Sequence, residues 1–194
     1  MHYNSKIYAC WPREIRWTYR KILQYLKPKT GERILEIGCA RGRMTQRIQR
    51  FTSDTWGIDI NEEAISRAVT KNLLVMSAER LEFESQSFDK VYSTHTIEHV
   101  SNIASVFSEM ERVIKPGGII LLIYPAEPIR GAFGMLGALA IFGTVLRARD
   151  IHLHKVTPAK IRKWIQDLNL EHVESNFYLL PTPEFLTILR KPLA

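Results

Sequence analysis

Residues 36 to 42 have the types and spacing of a ligand-binding turn. The run Glu-Ile-Gly-Cys-Ala-Arg-Gly places Gly38 and Gly42 directly after the short apolar run at 33–37 and ahead of a helical pattern. A glycine where a strand turns into a helix lets the backbone approach a ligand, and the helix N-terminus offers unpaired N–H groups. By itself the loop is compatible with any nucleotide ligand. The dinucleotide pattern G-x-G-x-x-G would need a third glycine at position 43, which is arginine.

Two further polar positions follow predicted strands. Asp59 ends the run TWGIDI at 55–60, and the residues Ser77, Ala78 and Glu79 follow the run at 73–76. A carboxylate is an acceptor for two hydroxyl groups at once, so Asp59 suits a diol. The carboxyl ends of parallel strands open into a crevice, where these residues would meet a common ligand.

The run His-Thr-Ile-Glu-His at 95–99 matches the H-x-x-E-H pattern of the inverted zinc proteases. On a helix the two histidines would lie one turn apart on one face, which is good ligand geometry. The run follows a strand of a small α/β domain, however, and no second motif supplies a convincing third ligand. We therefore expect no bound metal, with His95 in the wall of the ligand pocket and Glu98 and His99 supporting the loop.

Residues at and after the end of the fifth predicted strand are candidates for a catalytic base. His152 and His154 alternate with apolar residues, so they project to one side if the segment is extended. A neutral imidazole is a suitable base at pH 7. The alternative for both is a pair of solvated loop histidines. Tyr124 and Glu127, at the mouth of that strand, are weaker candidates.

The elements that must position these residues alternate along the chain. Strands are predicted at 33–37, 55–60, 73–76, 89–93 and 119–124, and helices at 11–26, 44–51, 61–71, 102–114 and 158–168. Two further β runs, at 171–180 and 185–189, close the sequence. Strands that alternate with helices indicate a parallel sheet with right-handed crossovers, and therefore an α/β fold.

Taken in order, these motifs resemble those of the methyltransferases that use S-adenosylmethionine (SAM), in particular the small-molecule type 11-like group. The first family motif, acid-x-G-x-G-x-G, is similar to ILEIGCARG at 34–42, and Asp59 stands where the family places the acid for the ribose hydroxyls. The similarity continues at 77–79, 88–93, 96–100 and 111–118. It covers about residues 31–124, and several motifs in order are more specific than one glycine loop.

The resemblance implies a Rossmann-like, doubly wound α/β fold, with a mostly parallel seven-stranded sheet and an antiparallel C-terminal hairpin. It implies SAM as the cofactor, held by Glu36, Gly38, Cys39, Ala40, Gly42, Asp59, Ile60, Ser77, Ala78, Glu79 and His95. Two positions depart from the family. Ala40 replaces the middle glycine, which is tolerable where φ is below zero, and Ser77 replaces an aspartate that contacts adenine.

The expected organisation is one domain over 1–194: a helical cap (1–30), a SAM-binding core (31–124), an acceptor-site segment (125–157) and a C-terminal helix and hairpin (158–194). The expected function is methyl transfer to a small-molecule or lipid-like acceptor. The alternatives are a non-catalytic SAM-binding module and an RNA methyltransferase, for which no RNA-binding domain or amine-methylating motif is visible. The apolar segment 131–146 is interpreted either as a hydrophobic lid or as a core helix.

Composition and charge agree with a folded protein whose surface attracts anions, and the scattered positions of the positive charges are more typical of a solvated surface than of a binding stripe. Hydrophobic residues make up 45% and charged residues 24% of the 194 residues, and the formal net charge is +7. Such a surface attracts nucleic acid, anionic lipid or a phosphorylated molecule. Two cysteines predict no disulfide framework, and no apolar leader is apparent, so we expect a cytoplasmic protein. The basic helix at 11–26 suggests peripheral contact with anionic membranes.

Overall fold

A computed structural model describes residues 16–126, 152–180 and 182–193. The first described helix, α1 (Arg16–Leu26), is amphipathic and buries Ile22 and Leu26 completely. It ends where Pro28 and Gly31 predict an end. The segment 131–146, with its predicted lid, and Glu127 lie outside the described residues. No helix within the described ranges is long and apolar enough to cross a membrane.

Seven strands form a single sheet. They are β1 (Ile34–Ile37), β2 (Thr55–Asp59), β3 (Leu73–Val75), β4 (Phe88–Thr94), β5 (Ile114–Pro125), β6 (Glu171–Tyr178) and β7 (Glu184–Arg190). Their order is β3-β2-β1-β4-β5-β7-β6. Neighbouring strands are parallel from β3 to β5, whereas β7 lies antiparallel between β5 and β6. The predicted mostly parallel sheet with an antiparallel C-terminal hairpin is confirmed.

The helices that cover the sheet begin at polar caps. They are α2 (Arg43–Ile48), α3 (Glu62–Ser66), α4 (Ile103–Val113) and α5 (Pro158–Trp164), with a 3-10 turn at Ile97–His99. The side chains of Asn61, Asn102 and Thr157 accept hydrogen bonds from backbone N–H groups three residues further on. Each cap satisfies a donor that a helix N-terminus leaves unpaired, which fixes where α3, α4 and α5 begin.

Several predicted boundaries are wrong. The helices predicted to reach 51, 71 and 168 end at Ile48, Ser66 and Trp164. After α3 the backbone turns away, because the Arg67 carbonyl accepts a hydrogen bond from Arg41 Nε at 2.9 Å. The strand predicted from 119 begins at Ile114, with a register shift between Phe88 and Lys90 on β4.

The core lies on both faces of the central strands. One cluster packs α4 and α5 against the sheet through Phe107 and Ile161, and the other packs α1 and α2 through Ile22 and Ile48. Strands covered on both faces are expected to be apolar, as β5 is from residue 119 to residue 123. This packing fixes the carboxyl ends of β1, β2, β3 and β4 along one edge of the sheet.

Candidate functional site

A cavity of about 330 Å³ opens at that edge. It lies where the strand order reverses between β1 and β4, the position at which open α/β sheets bind ligands. Its volume is at the lower end of the roughly 300–1,000 Å³ typical of small-molecule pockets. The wall is formed by Ile37, Gly38, Ala40, Ile58, Asp59, Ile60, Asn61, Ala64, Met76, Ser77, Ala78, Glu79, His95, Thr96, His99, Val100 and Ser101. Eight of the eleven predicted cofactor residues line this wall. Seven of them lie at the carboxyl ends of β1, β2 and β3 or in the loops that follow, and the eighth, His95, follows β4.

The glycine loop is shaped by residues with positive φ. Gly38 has φ +80°, and a Cβ there would lie 2.0 Å from Thr96 Oγ1, so only glycine fits. Ala40 has φ +48°, so the expectation of a φ below zero at this position is wrong. The left-handed region costs an L-residue roughly 1–2 kcal/mol. The loop therefore stores strain at Ala40, next to the cavity.

Asp59 ties the loop to β2 from the cavity side. Its Oδ2 accepts a hydrogen bond from the Ala40 N–H at 2.8 Å, and its Oδ1 accepts one from the Asn61 N–H at 2.9 Å. Below it, the N–H groups of Gly38 and Cys39 both donate to the Ile58 carbonyl. The loop is thus held in place by backbone bonds, with the Asp59 carboxylate at the cavity wall.

The loop after β3 forms the far wall of the cavity. Ser77 Oγ accepts a hydrogen bond from the Glu79 N–H at 3.2 Å, and Glu79 Oε1 accepts from the N–H groups of Ser101 and Asn102. Glu79 therefore joins this loop to the start of α4. Ile60 is 66% exposed although it is apolar, and its side chain lines the cavity. Such a wall suits the face of a planar ring.

Three predicted cofactor residues, Glu36, Cys39 and Gly42, do not line the cavity wall described above. Thr45 Oγ1 donates a hydrogen bond to Glu36 Oε2 at 2.5 Å, and burial raises the pKa of Glu36 to about 7. Cys39 is buried, which raises the pKa of its thiol. Gly42 is the N-cap of α2 with φ +76°. Glu36 ties the start of the loop to α2 through Thr45, whereas Cys39 and Gly42 belong to the loop but do not line the cavity.

On the other side of the cavity, charged side chains from distant parts of the chain meet. Lys21 Nζ on α1 lies 2.5 Å from Glu184 Oε1 on β7, and His95 Nε2 lies 3.1 Å from Glu184 Oε2. Burial raises the pKa of Glu184, but the bonds to His95 and Lys21 lower it below its usual value overall. Neither Lys21 nor Glu184 is predicted as a site residue from the sequence, because no local motif marks either residue.

A second group of side chains surrounds Glu98. This carboxylate is 1% exposed, and its Oε1 lies 3.8 Å from both His95 Nδ1 and His99 Nε2. The rings of His99 and His152 are 4.9 Å apart. Burial raises the pKa of Glu98, but the imidazoles of His99, His95 and His152 lower it below its usual value overall.

Two of the candidate bases are held by hydrogen bonds to neighbouring residues of the fold. Tyr124 is fully buried, and its hydroxyl lies 2.7 Å from Thr187 Oγ1. His154 Nε2 lies 2.9 Å from the Val100 carbonyl, and the His154 N–H donates to the Glu98 carbonyl at 3.0 Å. These bonds hold the segment after residue 151 against the 3-10 turn. The ring of His152, by contrast, lies 4.9 Å from the ring of the cavity residue His99.

Comparisons with known proteins agree with this geometry. Residues 35–122 match the family described as a methyltransferase domain. The ubiquinone biosynthesis O-methyltransferase of Dechloromonas aromatica is 25% identical over 156 residues, which are 74% of this chain and 66% of that protein. A sterol 24-C-methyltransferase of Gibberella zeae is 32% identical over 102 residues, 47% of this chain and 27% of that protein. The chain thus spans less than two thirds of the length of these relatives.

The fold has solved counterparts. A SAM-dependent methyltransferase from Methanosarcina mazei superposes with a TM-score of 0.67 and 22% identity, covering 90% of this chain and 98% of that one. At this identity the likeness shows the fold. Together with the family match, it confirms the resemblance that the ordered motifs carry.

Proposed function

We propose that this chain, whose residues 35–122 belong to the methyltransferase-domain family, is an enzyme that transfers a methyl group from SAM to a small-molecule or lipid-like acceptor. The observation that carries the proposal is the position of Asp59. Its carboxylate anchors the glycine loop and also lines the cavity. A carboxylate has about four acceptor positions, which suits a ribose diol in addition to the two loop amides.

The other wall residues each contact a different part of the cofactor. Gly38 and Ala40 bring the backbone close to the methionyl part, and the loop 77–79 together with Ile60 encloses the adenine. His95 lies at the β4 end, where the methyl group would face the acceptor. Glu36 fixes the start of the loop through Thr45, and Cys39 and Gly42 belong to the loop without lining the cavity. This arrangement is supported by the cavity wall and by the hydrogen bonds beneath it.

Bound SAM supplies a sulfonium leaving group, so the protein mainly aligns acceptor and methyl group and excludes water. A base is needed only when the acceptor must lose a proton first. Among the described residues, the imidazoles of His95 and His152 lie on the acceptor side of the cavity. Glu184 fixes the orientation of the His95 ring, since it binds Nε2.

The acceptor class is supported by the names of the relatives and by a basic surface. Ubiquinone and sterol methyltransferases are named for apolar molecules that dwell in membranes. A concavity of about 380 Å³ between α1 and α2 is lined by Tyr19 and by four arginines, Arg16, Arg20, Arg47 and Arg50. Trp17 beside it is 56% exposed. Basic and aromatic side chains on one helix favour contact with anionic headgroups. We propose a cytoplasmic protein that visits such a membrane surface.

Transfer of label from SAM tests the function directly. The purified protein is incubated with methyl-labelled SAM and, separately, with the lipid extract, the polar metabolites and the RNA of its source cells. At a SAM concentration well below the wild-type Kd, we expect label in the lipid extract and roughly 10- to 150-fold less label with the Asp59→Ala variant. Label in RNA, with strongly salt-dependent RNA binding, would support the RNA methyltransferase instead. SAM binding without label in any fraction would indicate a non-catalytic module.

Liposome flotation tests the membrane contact. Wild-type protein is expected to float with anionic vesicles at low salt and to stay down with neutral ones. Arg20→Glu/Arg50→Glu should abolish flotation, whereas Arg190→Glu, an exposed arginine at the end of β7, serves as the matched control. Equal flotation of both variants would contradict a role for the basic concavity.

A further inference from the structure

The Glu98 carboxylate is the starting point, because its burial is not matched by hydrogen bonds. The residue is 1% exposed, and among the described residues neither Oε1 nor Oε2 has a hydrogen-bond partner. Its neighbours are imidazole nitrogens at 3.8 Å, a distance longer than a hydrogen bond. A charge that is removed from water in this way is costly unless it is paired closely or coordinates a metal ion.

The ligand atoms around Glu98 are close enough for coordination. One ligand atom each from Glu98, His99 and His152 lies within 4.8 Å of the other two. In a tetrahedral zinc site with bonds of about 2.0–2.2 Å, ligand atoms are about 3.4 Å apart. Closing the present spacing needs shifts of about 1 Å or less, within the reach of side-chain rotation.

The third ligand is held in place by its neighbour in the chain. His154 binds the carbonyls of Glu98 and Val100 through its N–H and Nε2, and these bonds bring His152 against the 3-10 turn. The sequence analysis expected no metal because no motif offered a third ligand. The fold supplies one from a segment 53 residues further along the chain than His99. His95, the first histidine of the H-x-x-E-H pattern, binds Glu184 instead.

We infer that Glu98, His99 and His152 bind a divalent transition-metal ion. Two imidazoles and one carboxylate suit Zn²⁺ and its first-row neighbours, whereas Mg²⁺ and Ca²⁺ prefer oxygen ligands alone. His99 also lines the cavity, so the ion would lie beside it. On the proposed function, such an ion would polarise an acceptor hydroxyl and assist the loss of its proton.

Zinc titration of untagged, chelator-treated protein tests the inference. We expect about one equivalent of Zn²⁺ by equilibrium dialysis with elemental analysis, a rise in Tm on zinc addition, and no competition from Mg²⁺. His152→Ala, at a partly exposed position, and Glu98→Gln should each weaken zinc binding at least about 100-fold, more than the 10–100-fold typical of outer-shell changes. His172→Ala removes a histidine that bonds to Ser175 on β6, and should leave zinc binding unchanged.

Either of two results would overturn the site. One is zinc binding no stronger in the wild type than in His152→Ala. The other is an equal loss in His172→Ala, which would place the ion elsewhere on the surface. Neither readout requires SAM, so a protein that binds zinc but not SAM would refute the proposed function and leave this site standing.

Discussion

The two sides of the cavity differ in whether backbone turns or buried charged side chains form them. The side formed by β1, β2 and β3 is a set of tight backbone turns, with Asp59 as the one carboxylate that bonds the glycine loop. The side formed by β4, β5 and β7 is a group of buried charged and titratable side chains, among them Lys21, Glu98 and Glu184. The first side shapes the cavity through main-chain geometry, and the second brings titratable side chains together beside the cavity residues His95 and His99.

This difference decides what each side contributes to the protein. Backbone turns with positive φ store strain, and here the turn is held by hydrogen bonds from its N–H groups to Asp59 and to the Ile58 carbonyl. Buried charges depend on partners from other elements, and removing one partner leaves the other buried without a compensating charge. We therefore expect substitutions of the buried charges on the side of β4, β5 and β7, the proposed acceptor side, to act mainly on stability. Substitution of Asp59 on the side of β1, β2 and β3, the proposed cofactor side, should act mainly on ligand binding.

The largest expected effect on stability follows from Lys21→Met. Both side chains of the Lys21–Glu184 pair are at least about nine-tenths buried, so the substitution leaves Glu184 without its cation. We expect a loss of about 3–5 kcal/mol in the free energy of unfolding, measured in urea. The double variant Lys21→Met/Glu184→Gln should recover much of this loss.

An exposed ion pair provides the control. Arg67 and Glu63 form a pair one turn apart on and after α3, with both side chains at least one third exposed. Arg67→Met should change stability by less than about 1 kcal/mol. If Lys21→Met lowers the free energy of unfolding as little as Arg67→Met does, the buried Lys21–Glu184 pair does not contribute to stability as proposed.

The next effect is the dependence of stability on pH that follows from the buried acid Glu36 on β1. Burial raises the pKa of Glu36 to about 7 in the folded protein, above the unfolded value of 4.5. The fold therefore favours the protonated acid, and stability falls as the pH rises from about 4.5 to about 7. A difference of this size corresponds to about 3 kcal/mol.

Glu36→Gln removes the titrating group. The stability of the variant relative to wild type should therefore increase by up to about 3 kcal/mol between pH 5 and pH 8, as followed by urea unfolding at each pH. A difference between the two proteins that does not vary with pH would contradict the burial of an acid under the loop.

The smallest effect concerns the strained alanine in the loop. Ala40→Gly should stabilise the protein by up to about 1 kcal/mol, because glycine adopts φ +48° without the steric cost. Ala104→Gly, at an exposed position inside α4, is the control and should destabilise by about 1 kcal/mol. Thermal unfolding distinguishes the two. A destabilised Ala40→Gly would show that the loop is not strained there.

The fold was largely predictable because it follows from local patterns. Apolar runs, the caps at Asn61 and Asn102, and the ordered motifs were sufficient for the sheet and its hairpin. Helix ends were less predictable, since α3 stops where Arg41 binds the backbone of Arg67. That contact joins residues 26 positions apart, and no window of sequence contains it.

The site divides in the same way. The loop residues on the cofactor side were predicted because each follows its own strand within a short motif, although the positive φ of Ala40 was not foreseen. On the acceptor side, Glu184 lies 163 residues from Lys21, and His152 reaches Glu98 only through the bonds of His154. Such clusters exist only once the chain has folded, so a sequence pattern cannot indicate them.

Calorimetric titration with SAM tests whether the cavity beside Asp59 binds this cofactor. We expect micromolar binding to wild-type protein and a loss of about 1.5–3 kcal/mol, or roughly 10- to 150-fold in affinity, for Asp59→Ala. Asp54→Ala, which removes an exposed carboxylate bonded to Trp56 Nε1, should bind SAM like the wild type. Wild-type protein that binds NADH but shows no binding of SAM would contradict the account.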